Sequence, residues 1–422
     1  MRALRPTPWL ALALLAGAAH AQDAELDALK LADQTMDQPA VKTSPVRAFI
    51  EGAAGAFTPA NPGAASPGSL ARLSLDLQLD ISPTEGLRFV LADRLDLSAQ
   101  QRPSAQSRVN TLKEAYLSWQ SSPDSFLDAG RINVRNGVAM GYNPTDYFRD
   151  GALRSQTSVD PASLRLNRMG TVLLRGQTLW STGSLAAMVS PRLSQTPHDG
   201  VFNPDFAATN NRTRWQLALS QRLAEGLTPQ FLLYSHRPGD LRLGANLSTL
   251  VNDATVAYAE WSLGRTRPQL AQALGKDEAS RVRQQLATGL TYTAPNKLSL
   301  TLEYDYNGFG LDRAAWNRLR TVAGRDYGLY RRWTGTAQES PTRQRLFAMA
   351  TWQDVAMNRL DWSVMLRHTV EDRSRLVWTE LRYRWDTADL TLQWQRYRGG
   401  ATSDFGAAPA RQILQLVARQ YF

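Results

Sequence analysis

The chain has 422 residues, a formal net charge of +10, 43% hydrophobic residues and no cysteine. Without cysteine, disulfide bonds, thiolate metal sites and a cysteine nucleophile are excluded. The 48 Lys and Arg residues form no compact basic block, so we predict no nucleic-acid partner, although a positive charge favours anionic ones.

The first 21 residues have the order of a secretory signal peptide. Arg2 and Arg5 precede an apolar run from Trp9 to Ala19, and Ala19-His20-Ala21 supplies small residues for cleavage. The run is shorter than the roughly 20 residues that a membrane-spanning helix needs. We therefore predict a signal peptide over residues 1–21, and its removal takes two arginines and lowers the formal charge from +10 to +8.

Residues 22–44 do not follow the pattern of the rest of the chain. The stretch "AELDALKLADQ" has the character of one short helix, and Pro39 ends it. We predict a periplasmic N-terminal extension here. Two interpretations are open: the extension is disordered, or it plugs the inner mouth of the domain that follows.

From residue 45 to residue 422, apolar and polar residues alternate in segments of about 10–13 residues. "LARLSLDLQLDIS" places Leu75 and Leu77 on one face of a strand and Ser74 and Asp76 on the other. Such segments exceed the usual soluble strand of about 5–6 residues and suit a tilted transmembrane strand of about 9–11. We predict an all-β, transmembrane antiparallel β-barrel.

The segments number about 18, with 16 as the alternative. Short turns such as "SPTEG" and "DTAD" alternate with longer connections, a pattern typical of barrels with short periplasmic turns and long outer loops. Aromatic residues gather at segment ends, as in the interfacial girdles of outer-membrane barrels. The sequence predicts one strand over 123–135 and the next over 163–180.

The connection over 136–162 is long and rich in arginine and aromatic residues. Loops of this length are usually functional or disordered. If the loop folds inward, its arginines focus a positive field in a narrow pore. If it remains outside, the same arginines face water or lipopolysaccharide phosphate. Both interpretations are open.

The stretch from Gly130 to Gly170 also resembles a known group. A "GR" strand leads into a Gly-rich turn, "NPTDYF", a "DP" pair and a further strand. This arrangement is similar to the porin-like and alginate-export-like barrels of Gram-negative outer membranes. The resemblance implies a channel, with this segment approaching the lumen, and does not identify the cargo.

A second long connection covers 307–342. Asp312 is positioned to cap a short helix, and Gly324 to end it. The segment is predicted either to cover the outer mouth as a lid or to remain a solvated basic loop.

The final strand, "LQLVARQYF", places Leu414, Leu416 and Phe422 on one apolar face. A terminal aromatic residue on such a strand resembles the C-terminal signal that the barrel-assembly machinery of Gram-negative bacteria reads. We predict an assembly signal at Leu414, Leu416, Tyr421 and Phe422. The predicted location is the outer membrane, with lipid and lipopolysaccharide as partners.

No catalytic residues, metal ligands or cofactor site are predicted, because the histidines are isolated and no phosphate-binding or calcium loop appears. We predict a channel for passive diffusion or export of hydrophilic, anionic solutes or polymers such as polysaccharide. The alternative is a plugged, non-conducting barrel that serves as a structural or assembly platform. The predicted pore-lining residues are arginines: Arg72, Arg88, Arg131, Arg135, Arg165, Arg382, Arg384 and Arg396.

Overall fold

A computed structural model describes residues 44–60, 67–100, 107–198, 200–236 and 240–422. The predicted signal peptide and all but the last residue of the predicted extension lie outside these ranges.

Eighteen antiparallel strands form one sheet that closes on itself, and this confirms the larger of the two predicted strand numbers. Each strand pairs with its neighbours in sequence, and β1 pairs with β18 to complete the ring. The strands are β1 (Val46–Pro59), β2 (Gly68–Thr84), β3 (Leu87–Gln100), β4 (Arg108–Ser122), β5 (Ser125–Ile132), β6 (Thr171–Trp180), β7 (Gly183–Ser190), β8 (Arg214–Gln221), β9 (Gln230–Ser235), β10 (Arg242–Asn252), β11 (Thr255–Thr266), β12 (Arg281–Thr293), β13 (Leu298–Asn307), β14 (Gln344–Trp352), β15 (Leu360–Thr369), β16 (Arg375–Arg384), β17 (Ala388–Arg398) and β18 (Ala410–Tyr421).

The alternating pattern separates two faces of the wall. On β2, Leu75 is 44% exposed, whereas its neighbour Ser74 is fully buried. Because alternate side chains point to opposite faces, the leucine face looks outward to lipid and the polar face looks into the lumen. The predicted orientation of these strands is therefore confirmed.

In the residues that the structure describes, five helices lie in the longer connections: α1 (Pro161–Leu166), α2 (Phe206–Thr209), α3 (Gln269–Ala273), α4 (Arg313–Val322) and α5 (Arg325–Ala337). None of these helices is both long and apolar enough to cross a membrane. The strand predicted from residue 163 is wrong, because Pro161 begins a helix whose N-cap is Asp160, and β6 starts only at Thr171. The connection between β5 and β6 is correspondingly longer than predicted.

Candidate functional site in the barrel lumen

The connection between β5 and β6 turns into the barrel and crosses its lumen; we call residues 133–170 the inward loop. Near its start, the Asn136 side chain donates to Gln216 Oε1 on β8 at 3.2 Å. Near its return, the Arg72 guanidinium on β2 donates to the carbonyl oxygen of Thr157 at 3.2 Å. Of the two interpretations of this loop, the inward-folded one is confirmed.

The Glu303 carboxylate on β13 holds the middle of the inward loop. The backbone N–H groups of Met140, Gly141 and Tyr142 donate to it at 2.8, 2.9 and 3.0 Å. The Tyr258 hydroxyl on the neighbouring wall donates to the same carboxylate at 2.7 Å. Charged acceptors make the stronger hydrogen bonds of proteins, so this buried carboxylate fixes the loop backbone firmly.

Glu260 on β11 holds the adjacent part of the loop. It accepts hydrogen bonds from the Ala139 N–H at 2.6 Å, from Asn143 Nδ2 at 2.9 Å and from Thr145 Oγ1 at 3.0 Å. The backbone of Gly137 lies against the Glu260 carboxylate and has a φ of 95°. A Cβ atom at this position would lie 2.4 Å from Glu260 Oε1. Close approach and positive φ both require glycine at this position.

A cluster of charges occupies the lumen face where the barrel closes. Glu51 on β1 is buried and accepts from Arg72 at 2.5 Å, from Arg94 at 2.9 Å and from Arg419 at 2.5 Å. Arg94 also lies 3.0 Å from Asp96 and 3.7 Å from Asp76, and Arg419 lies 3.9 Å from Asp389. Acids therefore balance the positive charges on this side of the lumen. A buried charge of this kind is tolerated when it is paired and hydrogen-bonded, as Glu51 is.

Sequence reasoning missed three cations of this cluster, namely Arg94, Lys113 and Arg419. Lys113 Nζ lies 2.6 Å from Asp76 and joins the same region. The signal was present in the alternation, because Arg94 and Arg419 lie at lumen-facing positions of β3 and β18.

Three predicted pore-lining arginines lie on the lumen face, and each is paired with an acid. Arg72 joins the Glu51 cluster. Arg382 lies 2.9 Å from Glu380, and Arg384 lies 2.7 Å from Asp361. Pairing reduces the net field that each of them projects into the lumen.

Two further predicted arginines have other positions along the barrel. Arg88 shares the inward face of β3 near the short-turn end, is exposed, and lies 2.5 Å from Asp80. Arg165 donates to the carbonyl oxygens of Asn136 and Gly137 at 3.2 and 3.3 Å. Arg165 thus joins the outgoing and returning arms of the inward loop.

Arg135 is exposed on the inward loop, between the buried residues Val134 and Asn136. Within the ranges that the structure describes, it has neither an ion pair nor a hydrogen bond to its side chain. Arg135 is therefore an unneutralised charge at the level where the loop crosses the lumen.

Two predicted pore-lining arginines do not face the lumen, and this part of the prediction is wrong. Arg131 is 3% exposed and donates to the carbonyl oxygens of Gly170 and Pro204 at 3.0 and 2.6 Å, so it fastens loops together. Arg396 lies between the lumen-facing residues Gln395 and Tyr397, so strand alternation turns it outward.

The 307–342 connection packs over the inward loop, and we call this connection the lid; that it covers the outer mouth stays a prediction. Glu339 accepts from the Tyr142 hydroxyl at 2.8 Å and from the Arg149 guanidinium at 2.5 Å, and both donors belong to the inward loop. On helix α5, the Tyr330 hydroxyl donates to the carbonyl oxygen of Pro341 at 2.7 Å. The lid and the inward loop therefore form one hydrogen-bonded unit.

Asp404, in the connection between β17 and β18, fastens the lid to the wall. It lies 2.6 Å from Arg331 of α5 and 2.7 Å from Arg345 of β14, and it accepts from Thr369 at 2.9 Å. Burial alone raises the pKa of Asp404, but Arg345 and Arg331 outweigh burial and hold this pKa well below its usual range.

A cavity of about 250 Å³ lies between the inward loop and strands β1, β2, β17 and β18. Its lining includes Arg72, Thr157, Gln395 and Gln415 and is thus both charged and polar. A larger concavity of about 720 Å³ is lined chiefly by outward-facing leucine and alanine residues on β10–β15. Because that surface faces lipid, only the smaller of these two cavities lies inside the barrel.

The residues of the predicted assembly signal divide between the two faces of β18. Leu414, Leu416 and Phe422 face outward and are exposed. The Tyr421 hydroxyl lies on the lumen face and donates to Asp389 Oδ2 at 2.6 Å. The assembly role of these residues stays a prediction.

No group of three or more His, Asp or Glu side chains in the described ranges is placed to hold a metal ion. Comparison with protein-family models and with curated protein sequences gives no match.

Solved structures, in contrast, match over almost the whole chain. OccAB1 of Acinetobacter baumannii gives a TM-score of 0.58 at 12% identity, covering 89% of this chain and 96% of that one. A BenF-like porin of Pseudomonas fluorescens Pf-5 gives 0.53 at 8% identity, covering 91% and 100%. OccK2 (OpdF) of Pseudomonas aeruginosa, solved in complex with glucuronate, gives 0.53 at 10% identity, covering 89% and 98%. At these identities the likeness is one of fold, and the fold of this chain is the closed 18-strand barrel of Gram-negative outer-membrane porins.

Proposed function

We propose that the protein is an outer-membrane channel through which small hydrophilic anions pass by diffusion. Barrels of 16–18 strands enclose an aqueous channel unless the lumen is plugged. Passage then requires a suitable width, a favourable lining charge and binding weak enough for release.

The observation that carries the anionic preference is Arg135. This side chain is exposed on the inward loop, and the described residues provide it with no acid partner. Glu260 and Glu303, two wall acids that contact the inward loop, already accept hydrogen bonds from the loop backbone. An unpaired cation between low-dielectric walls raises the local concentration of anions and repels cations.

Two observations favour small solutes over polymers. The inward loop crosses the lumen and is held on several sides. The polar cavity beside it, at about 250 Å³, lies just below the usual range for small-molecule pockets of about 300–1,000 Å³. OccK2, one of the solved barrels with this fold, was solved in complex with glucuronate, a small carboxylate.

Ion selectivity in a planar lipid bilayer tests the proposal. Under a KCl gradient, purified protein should give a reversal potential of anionic sign, and Arg135→Gln should reduce it. Arg396→Gln is the matched control, because it removes the same charge from the outward face. Cation selectivity, or equal effects of the two substitutions, contradicts the proposed role of Arg135.

The alternative function, a plugged platform, is favoured by how completely some lumen side chains are covered. Ser74, Glu260 and Gln216 have no exposed surface. The same recordings separate the two functions: stable conductance supports the channel, and the absence of conductance at any voltage supports the platform.

A further inference from the structure

Three arginines form a cluster on the outward face of the barrel, at the end that carries the long connections. Arg375 of β16 and Arg398 of β17 are directly opposite each other in the sheet, and Arg396 is the next outward-facing residue along β17. All three are exposed. His368 of β15 pairs with Arg375 and extends the row by one strand. We call Arg375, Arg396 and Arg398 the outer arginine cluster.

This cluster has no counter-charge within the part of the chain that the structure describes. None of the three guanidinium groups has an ion pair or hydrogen bond there. The nearest acids in sequence are engaged elsewhere: Glu371 accepts the N–H of Gln344 at 3.0 Å, and Asp372 accepts from the buried Trp316 Nε1 at 2.8 Å.

Such an arrangement disfavours folding unless an anion occupies it. Like charges directly opposite on neighbouring strands are destabilising. Neighbouring strands lie about 4.8 Å apart, and alternate residues along a strand lie about 6.8 Å apart. Because arginine side chains are long and flexible, three guanidinium groups whose Cα atoms have these spacings can reach one phosphate. Arginine binds phosphate oxygens in bidentate fashion.

The surface immediately below the cluster is apolar. Outward-facing Trp394 is the next residue along β17, and Leu392 pairs with Leu381 in the row beyond it. Tryptophan favours the boundary between hydrocarbon and headgroups, whereas the leucines belong to the lipid-facing band. A ligand of this surface would hold its phosphate at the arginines and its acyl chains along the leucines.

We propose that the outer arginine cluster binds the phosphate of lipid A, the phosphorylated glycolipid anchor of lipopolysaccharide in the outer leaflet. The order of charge, aromatic residue and leucine along β17 matches the order of phosphate, sugar–acyl boundary and acyl chains in that lipid. A free anion would use the arginines alone. The proposal does not depend on conduction through the lumen, so it stands or falls separately from the channel.

Binding of purified diphosphoryl lipid A to the full-length folded protein in detergent tests this, with native mass spectrometry as the measurement. The triple variant Arg375→Gln/Arg396→Gln/Arg398→Gln should bind at least about tenfold more weakly, because charge-assisted hydrogen bonds to phosphate are lost. The matched control is Arg318→Gln/Arg325→Gln/Arg332→Gln, which removes three exposed arginines from helices α4 and α5. The control should bind lipid A like the parent protein.

A second comparison uses the unaltered protein and does not depend on the folding of any variant. Lipid A stripped of both phosphates should bind at least about tenfold more weakly than the diphosphoryl form. Equal binding of the two lipids overturns the proposal, because the apolar wall then accounts for all of the affinity. Full displacement of lipid A by millimolar inorganic phosphate also overturns it, because the site would then be one for free anions.

Discussion

Glu303 illustrates how one carboxylate determines the shape of the lumen. Each of its two oxygens accepts two hydrogen bonds, from three loop N–H groups and the Tyr258 hydroxyl. A glutamine has nearly the same shape but offers only one acceptor oxygen, and its amide nitrogen would face donors.

Glu303→Gln should therefore loosen the inward loop while the barrel stays folded. Leaving a buried hydrogen-bonding group unpaired costs about 1–3 kcal/mol, which is enough to populate alternative loop positions. We expect larger and more variable single-channel conductance. Glu278→Gln, in the exposed connection before β12, is the control and should leave the conductance unchanged. A Glu303→Gln channel identical to the parent would show that the loop has other anchors of equal strength.

The strands separate a lipid-facing from a lumen-facing surface, and β13 allows this to be measured. Leu302 is 65% exposed on the outward face near the middle of the strand. Leu302→Arg should cost about 2–4 kcal/mol of unfolding free energy, because the charge meets hydrocarbon. Urea titration of the protein in lipid vesicles measures this cost.

The matched substitution at the same position is Leu302→Phe, which keeps the surface apolar and should have little effect. Ser299→Arg, on the lumen face near the short-turn end, should also be mild because water reaches it. Equal costs for Leu302→Arg and Ser299→Arg would contradict the assignment of the two faces.

The lid depends on Asp404 as its link to the wall. The pKa of Asp404 is lowered in the folded protein, so the carboxylate contributes stability at pH values above its unfolded pKa of about 3.9 and loses that contribution as the pH falls further. Asp404→Asn should therefore free helix α5 at pH 7.

Hydrogen exchange of residues 325–337 is the measurement for this change. Exchange in Asp404→Asn should be faster at pH 7, whereas the parent protein should keep its protection down to about pH 4. Asp277→Asn, on an exposed connection, is the control. Unchanged exchange in Asp404→Asn would mean that Glu339 and Tyr330 hold the lid without the wall.

Closure of the whole barrel depends on the pairing of β18 with β1. This pairing begins with Phe49 opposite Tyr421 and ends with Pro59 opposite Ala410. Phe422 is 71% exposed, and its backbone N–H donates to the Ala48 carbonyl oxygen at 2.9 Å. Its side chain therefore contributes little to the stability of the closed ring.

Deletion of Phe422 should lower the amount of folded barrel in the outer membrane and leave the conductance of each assembled channel unchanged. Heat-modifiable migration on gels measures the folded amount, and bilayer recording measures the conductance. Ser44→Ala, at the exposed start of the described chain, is the control. Normal accumulation of the truncated protein would contradict the assembly signal.

Much of the wall could be predicted from the sequence, because strand alternation is a local property that Leu75 and Ser74 report directly. The contents of the lumen could not be predicted, because they depend on contacts between residues far apart in sequence. Met140, for example, donates to Glu303, which is 163 positions away. The positive charge of Arg396 suggested a lumen position. Arg396 is two residues from the outward-facing Trp394, however, so strand alternation places it on the outward face as well. The helix at Pro161 was missed because the alternation of β6 was extended too far towards the N-terminus.

The inward loop also has a mechanical consequence for the barrel. A closed barrel of 18 strands is wide, and without contents its cross-section is easily deformed by lateral pressure from the membrane. Here the inward loop connects opposite sides of the barrel, because it is hydrogen-bonded to β2, β8, β11 and β13. These hydrogen bonds therefore resist flattening of the barrel. The width of the open pathway is set by the position of the inward loop and not by the number of strands.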